Sequence, residues 1–409
     1  MQAGFLKNAI ILGLLSAIGP FAIDMYLPAL PTIGTDLRAS EFAVKMSLFI
    51  FFVSMGLGQL IVGPLSDIYG RKKPLYFGLA LFAIGSVGSA MAPSIQVLIA
   101  FRFLQGLGAS AGVIPRAVVR DMHTGVEAAK LMSLLMLVFS VSPILAPLTG
   151  SVIIKAAGWR WVFWAVLIAS AIGGLLAAFG LRETRSQEER EKSSIASSMR
   201  GYRLLLRDRN FLGLVLIGGF GISSFFVYLS NSPFVLMKHY GLSEAMYSVY
   251  FSMNALAFFA VSQFTGVLTA RFGLHRVVRV AVSGFAAVMA TLLVLNLVGM
   301  ESLALLATLL FVGFGFLGLV IPTTSVLAME EHGEIAGTAS ALMGAIHFTV
   351  GILAMVFSSL FANGTQIPMV AGIALCAGIA FGISRGVLGR HSERVRLEEG
   401  PVAVESIQG

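Results

Sequence analysis

Residues 63–74 read GPLSDIYGRKKP, and residues 266–277 read GVLTARFGLHRV. The copies stand about half the chain apart. Gly63 aligns with Gly266, Leu65 with Leu268, Gly70 with Gly273 and Lys73 with Arg276. Asp67 and Arg71 align with Ala270 and Leu274, so the second copy has lost the acid and one base. Each copy stands between two long apolar runs. A repeat at this spacing places one structural unit in each half of the chain.

Working outward, apolar runs occupy 8–29, 43–66, 75–92, 95–118, 131–154 and 161–181, and again 211–236, 245–270, 277–298, 302–327, 335–361 and 367–388. The composition is 57% apolar and 12% charged, whereas soluble domains are about a quarter charged. A helix needs about 20 apolar residues to cross a bilayer, and each run is about that long. The 45 glycines suit closely packed membrane helices. The expected organisation is an N-terminal six-helix bundle (1–181), a cytoplasmic linker (182–208), a C-terminal six-helix bundle (209–390) and a cytoplasmic tail (391–409). The linker is charged, and part of it suits a short amphipathic helix on the membrane surface.

Lys and Arg set the orientation. With the N-terminus in the cytoplasm, only Arg38, Lys45, Lys155, Arg160 and Lys238 fall outside, and most of the 28 basic residues fall inside. Both termini are therefore expected in the cytoplasm. The N-terminal run continues past Pro20 without a small-x-small cleavage site and reads as a retained first span. Cys376 is the single cysteine, so no intrachain disulfide forms. The net charge of +8 reflects this inside bias rather than a nucleic-acid partner. No G-x-x-x-x-G-K-[ST] stretch, metal-ligand cluster or catalytic triad motif occurs, so neither ATP hydrolysis, a metal nor another cofactor is expected, and the chain does not read as an enzyme.

Asp24 is the one acid lying deep in an apolar run. A charged carboxylate is expensive there and a neutral one is not, which suits a group that gains and loses protons. Arg102, about two turns into span 4, matches its depth. If both face a central cavity, each relieves the other's burial. A structural acid and a snorkelling arginine are the competing readings. Pro20, Pro28 and Pro31 bracket Asp24 and predict a break in span 1. Further candidates for the cavity are Tyr26, Arg116, Asn231, Asn254 and His347. Their plainer readings are an interfacial tyrosine, a snorkelling arginine, interhelical amides and a packed neutral histidine.

The 63–74 stretch resembles the signature loop between spans 2 and 3 of the major facilitator superfamily, through Gly63, Leu65, Asp67, Gly70, Arg71 and Lys72. The resemblance implies an all-α membrane protein of the major facilitator fold, with twelve transmembrane helices in two six-helix bundles around a central cavity. It also implies that this loop is a conformational latch, Asp67 pairing with a base at the end of span 4, for which Arg120 is the candidate. LIAFRFLQGLGASAG (98–112) resembles a drug:proton antiporter motif through Arg102, Gln105, Gly106, Gly108 and Ala109. SVSPILAPLTGS (140–151) partly resembles a second one, through Pro147 and Gly150, with Ala146 and Ser151 in place of its flanking glycines; the resemblance implies a segment that helps seal one access route. DMYLPALP (24–31) and residues 116–147 resemble the Bcr/CflA branch of bicyclomycin and chloramphenicol/florfenicol exporters.

These resemblances imply proton-driven export of small, fairly apolar antibiotics across the bacterial inner membrane, with protons, drug and membrane lipid as partners and the monomer as the working unit. A transporter for an amino acid, cysteine or sugar is the alternative within the fold, and a non-transporting receptor or scaffold the alternative outside it.

Overall fold

The computed structural model describes residues 3–123, 125–186, 188, 195–330, 332 and 335–398. The remainder of the linker and of the tail lies outside the described residues. Among the described residues every regular element is helical. Eleven helices are long and apolar enough to cross a membrane. These are span 1 (Phe5–Asp36), span 2 (Glu41–Tyr69), span 4 (Ile95–Met122), span 5 (Lys130–Ala157), span 6 (Arg160–Gly180), span 7 (Arg209–His239), span 8 (Glu244–Ser262), span 9 (Leu274–Leu297), span 10 (Leu303–Glu330), span 11 (Thr338–Leu360) and span 12 (Ile367–Leu388). The twelfth expected span is the 19-residue helix Lys72–Ala90, span 3. Two lysines at its start and its glycines and serines dilute its hydropathy. Those small residues admit span 4: a Cβ on Gly85 would lie 2.4 Å from the Gln105 backbone nitrogen.

Side-chain oxygens start several of these helices by accepting orphan backbone N–H groups. Ser40 accepts from Ala43, Ser94 from Val97, Ser243 from Met246, and Asp208 from Asn210 and Phe211. Pro64, Pro143, Pro147 and Pro322 sit inside helices. Within the linker, a helix covers Ile195–Leu205.

The packing repeats itself. Span 1 packs on spans 5 and 6, as span 7 does on spans 11 and 12. Span 2 packs on 4, as 8 does on 10. Span 3 packs on 4 and 6, as 9 does on 10 and 12. Of the eleven, spans 1 and 7 are the most buried, at 78% and 72%, against 50% or less in the other nine. The halves meet through span 2 against 11 and span 5 against 8. Moving each of these pairs on by six spans exchanges them, as a parallel repeat about an axis along the membrane normal requires.

The repeated motif has the same backbone in both copies. Gly70 (φ 88°, ψ 166°) and Gly273 (φ 79°, ψ 146°) end one helix and turn into the next, in a conformation that L-residues with a side chain rarely adopt. Gly63 has no such role. The helix of span 2 runs on to Tyr69, so the first seven residues of the expected loop are helical, and nothing lies within 4 Å of a Cβ placed on Gly63.

Gly106→Ala would put its methyl 2.4 Å from the Phe51 carbonyl oxygen and should destabilise the protein by about 1–3 kcal/mol. Gly63→Ala meets open space and should be neutral or gain up to about 1 kcal/mol from helix propensity. Thermal unfolding of the detergent-solubilised variants distinguishes the two.

Candidate transport site

The first helix of span 1 ends at Asp24. A turn follows, then a short 3-10 helix at Leu27–Ala29 and a helix at Leu30–Asp36. Pro28 and Pro31 occupy the first turns of these two pieces, where a missing N–H costs nothing. The break changes one hydrogen bond of consequence. The Tyr26 N–H donates to Ile23 O at 3.2 Å, one residue short of the α-helical partner, and so leaves Ala22 O free.

Arg102 takes that carbonyl. Its Nη1 donates to Ala22 O at 3.3 Å and to Gln105 Oε1 at 2.6 Å, and its Nε to Ser47 O at 3.4 Å. The guanidinium carbon lies 4.1 Å from the Phe51 ring centroid and 4.5 Å from that of Tyr26. Each ring in such a dry site contributes about 2 kcal/mol. Gln105 extends the chain by donating to Ser86 Oγ at 2.8 Å. Nη2 of Arg102 is buried with no hydrogen-bond partner.

Asp24 and Arg102 therefore share a depth without forming an ion pair, contrary to the pairing expected from depth alone. The guanidinium is spent on carbonyls that the break exposes. Asp24 is 4% exposed and has neither a hydrogen bond nor an ion pair among the described residues. Tyr247 of span 8, in the other half, stands within its electrostatic reach.

The other sequence candidates separate. Tyr26 is neither interfacial nor in a cavity: it is wholly buried and shares a 2.7 Å hydrogen bond with Ser47 Oγ. Asn254 is buried and donates to the Tyr228 hydroxyl at 2.9 Å, an interhelical bond between spans 8 and 7. Asn231, also buried, accepts from Lys45 Nζ of span 2 at 2.7 Å and donates to Ser358 Oγ at 3.1 Å. His347 is half-buried, its Nε2 3.1 Å from Val215 O. Arg116 is exposed and lies over the Phe139 ring of span 5 at 4.8 Å. Gly150 packs against the turn after Asp24: a Cβ there would lie 2.4 Å from Met25 O. The Pro147 carbonyl accepts from Ser248 Oγ of span 8 at 2.8 Å, and Ile144 O accepts from Ser252 Oγ at 2.8 Å.

These bonds, with that of Lys45, join the halves toward the face opposite the termini. Below them, Phe52, Phe226 and Phe348 form a mid-depth triad from spans 2, 7 and 11, with centroids 4.8 to 6.3 Å apart. Nearer the termini, Leu57, Leu60 and Ile61 of span 2 and Met136 and Leu137 of span 5 are exposed.

The latch is wired differently from expectation. Asp67 pairs with Arg71 at 2.7 Å, not with Arg120, which is exposed. Span 4 contributes an acid rather than a base. Asp121 accepts from Arg71 Nε at 2.7 Å and from Nη2 at 3.1 Å, and such a two-pronged bond fixes direction as well as distance. Glu183, just after span 6, accepts from the backbone N–H groups of Arg71 and Lys72 at 2.8 and 3.0 Å. That carboxylate sits at the positive end of span 3.

The family description "Major Facilitator Superfamily" matches residues 12–355. The chain belongs to this superfamily. It is 39% identical over 397 residues to "Uncharacterized MFS-type transporter YdgK" of Bacillus subtilis (strain 168), covering 95% of this chain and 98% of the relative. It is 30% identical over 383 residues to "Chloramphenicol resistance protein" of Pseudomonas aeruginosa, covering 91% and 87%. Its fold matches that of a D-xylose-proton symporter with a TM-score of 0.72 at 16% identity, covering 93% of this chain and 97% of that one. The chain is thus a multi-pass membrane protein of a transporter superfamily, not of an enzyme family.

Within this member of the superfamily, sequence reasoning missed Lys45, Asp121, Glu183, Ser248 and Ser252. Lys45 had a signal, since it stands one helical turn after Glu41, the i,i+4 spacing of an ion pair. The serines had none, because their acceptors are backbone carbonyls.

Asp121→Asn removes one of the two charged partners of a guanidinium that is 5% exposed and should cost about 1–3 kcal/mol, read as a lower unfolding temperature, with Glu127→Gln as an exposed-carboxylate control. Gly150→Ala should displace the turn at Met25 and abolish transport while the protein still reaches the membrane, as quantitative immunoblotting of membranes will show.

Proposed function

We propose that this transporter exports small, fairly apolar antibiotics, amphenicols first and bicyclomycin next, from the bacterial cytoplasm in exchange for protons. The observation that carries the proposal is Asp24: a buried carboxyl without a partner, at a helix break, facing a tyrosine of the opposite half. A charge in that position is costly and a neutral acid is tolerated, so the closed seam favours protonated Asp24. The relative named for chloramphenicol resistance supports the substrate class.

In this reading both termini are cytoplasmic, the face opposite them meets the outside, and one chain carries the whole cycle. Contact between the halves near the outer face corresponds to a site closed outward. Drug enters from the cytoplasm, and the halves rock so that it leaves outward. Arg102 does not serve as the counter-ion of Asp24. It clamps the break, and so holds Asp24 in position for span 8.

Accumulation of radiolabelled chloramphenicol in efflux-deficient bacteria tests this. Wild type should lower accumulation relative to empty vector, a protonophore should abolish the difference, and Asp24→Asn should behave as vector. Proton-coupled export by Asp24→Asn at the wild-type level would refute the mechanism. Equal accumulation in all three strains, with protein present in the membrane, would refute amphenicol as substrate.

A further inference from the structure

Lys45 is wholly buried, a state that lysine reaches only with partners. Its ammonium donates to Glu41 Oε1 at 2.5 Å and, across the seam, to Asn231 Oδ1 at 2.7 Å. It lies 4.9 Å from the ring centroid of Phe234 in span 7. Lys238 of span 7 lies over the same ring at 5.3 Å. Two cations, one from each half, thus flank one aromatic ring. Glu41 is the accessible member, its side chain 26% exposed. It borders a cavity of about 40 Å³ with Asn231, Phe234, Lys238 and Thr365, room for one or two waters. Among the residues lining that cavity Glu41 is the only carboxylate and Lys238 the only other titratable group. The groups facing Glu41 are therefore Lys45 on its own span and Lys238 on span 7; span 12 contributes Pro368 and Met369, which do not titrate.

We propose that Glu41 is a second proton-binding site of the transport cycle, read out by Lys45. Ionised Glu41 offsets the charge of Lys45 beside Lys238 and keeps the halves shut on the face opposite the termini. A proton from water on that face adds to a Glu41 oxygen and displaces the Lys45 hydrogen bond. Lys45 is then a dry charge facing the exposed Lys238, and separation of the halves hydrates its ammonium. On reclosing, Glu41 returns its proton to water. The proposal rests on the alternating-access reading for the direction of proton entry, but its test needs no substrate.

Spin labels at Lys155→Cys and Asn363→Cys, both exposed and on opposite halves, in a Cys376→Ala background in lipid nanodiscs, report the separation by double electron–electron resonance. Lowering the pH from about 8 to about 4, into the range where glutamates ordinarily protonate, should lengthen the distances. Glu41→Gln should hold the longer distribution at both pH values, Lys45→Met should lose the response, and Asp24→Asn should keep it. A wild-type-like response in Glu41→Gln, a response lost only in Asp24→Asn, or no response in wild type would each overturn the proposal. Should Lys45→Met fail to fold, Glu41→Gln, of equal volume at the cavity edge, decides alone. Loss of drug export with an intact distance response would instead overturn the substrate reading.

Discussion

A guanidinium buried among spans 1, 2 and 4 organises the N-terminal half. Arg102 heads the largest fully buried side chains of the protein, and an isolated charge in the membrane interior is costly. The cage that makes it tolerable draws on the backbone of spans 1 and 2, the amide of Gln105 and the rings of Tyr26 and Phe51. The carbonyl from span 1 exists as an acceptor only because the helix breaks, and the break in turn leaves Asp24 at a helix end. The position of the acid and the burial of the base are thus two results of one local event.

That dependence explains which parts of the site were legible in the sequence. The helices, the repeat and the unusual depth of Asp24 follow from apolar run length and composition, which act along one dimension. Pairing Asp24 with Arg102 needs direction around the helix axis as well, and a break resets that direction. The same limit separates Arg120 from Asp121: one residue along span 4 turns a side chain from an exposed face to a half-buried one. Lys45 was counted among the outer charges because the apolar run begins at about residue 43, whereas the helix begins at Glu41.

The two seams are equivalent in position and different in chemistry. Where spans 5 and 8 meet, hydroxyls bond to carbonyls. Around span 2, against spans 7 and 11, the contact is a phenylalanine triad topped by a lysine. The motif that names the repeat diverges in the same way. Both copies keep the glycine turn, but Ala270 and Leu274 replace the acid and base that wire Asp67 through Arg71 to Asp121. Among the described residues the Asp67–Arg71–Asp121 wiring of the first copy thus has no counterpart at Ala270 and Leu274.

Span 8 reads span 5 through its main chain. Ser248 and Ser252 bond to the carbonyls of Pro147 and Ile144, and every amino acid carries a carbonyl. Substitutions at 144 and 147 that preserve the helix path leave both acceptors in place, while loss of either serine removes a donor outright. Evolutionary drift at this contact is therefore lopsided: span 5 is free to change its lettering and span 8 is not, so covariation between the two helices would be faint however tightly they are joined.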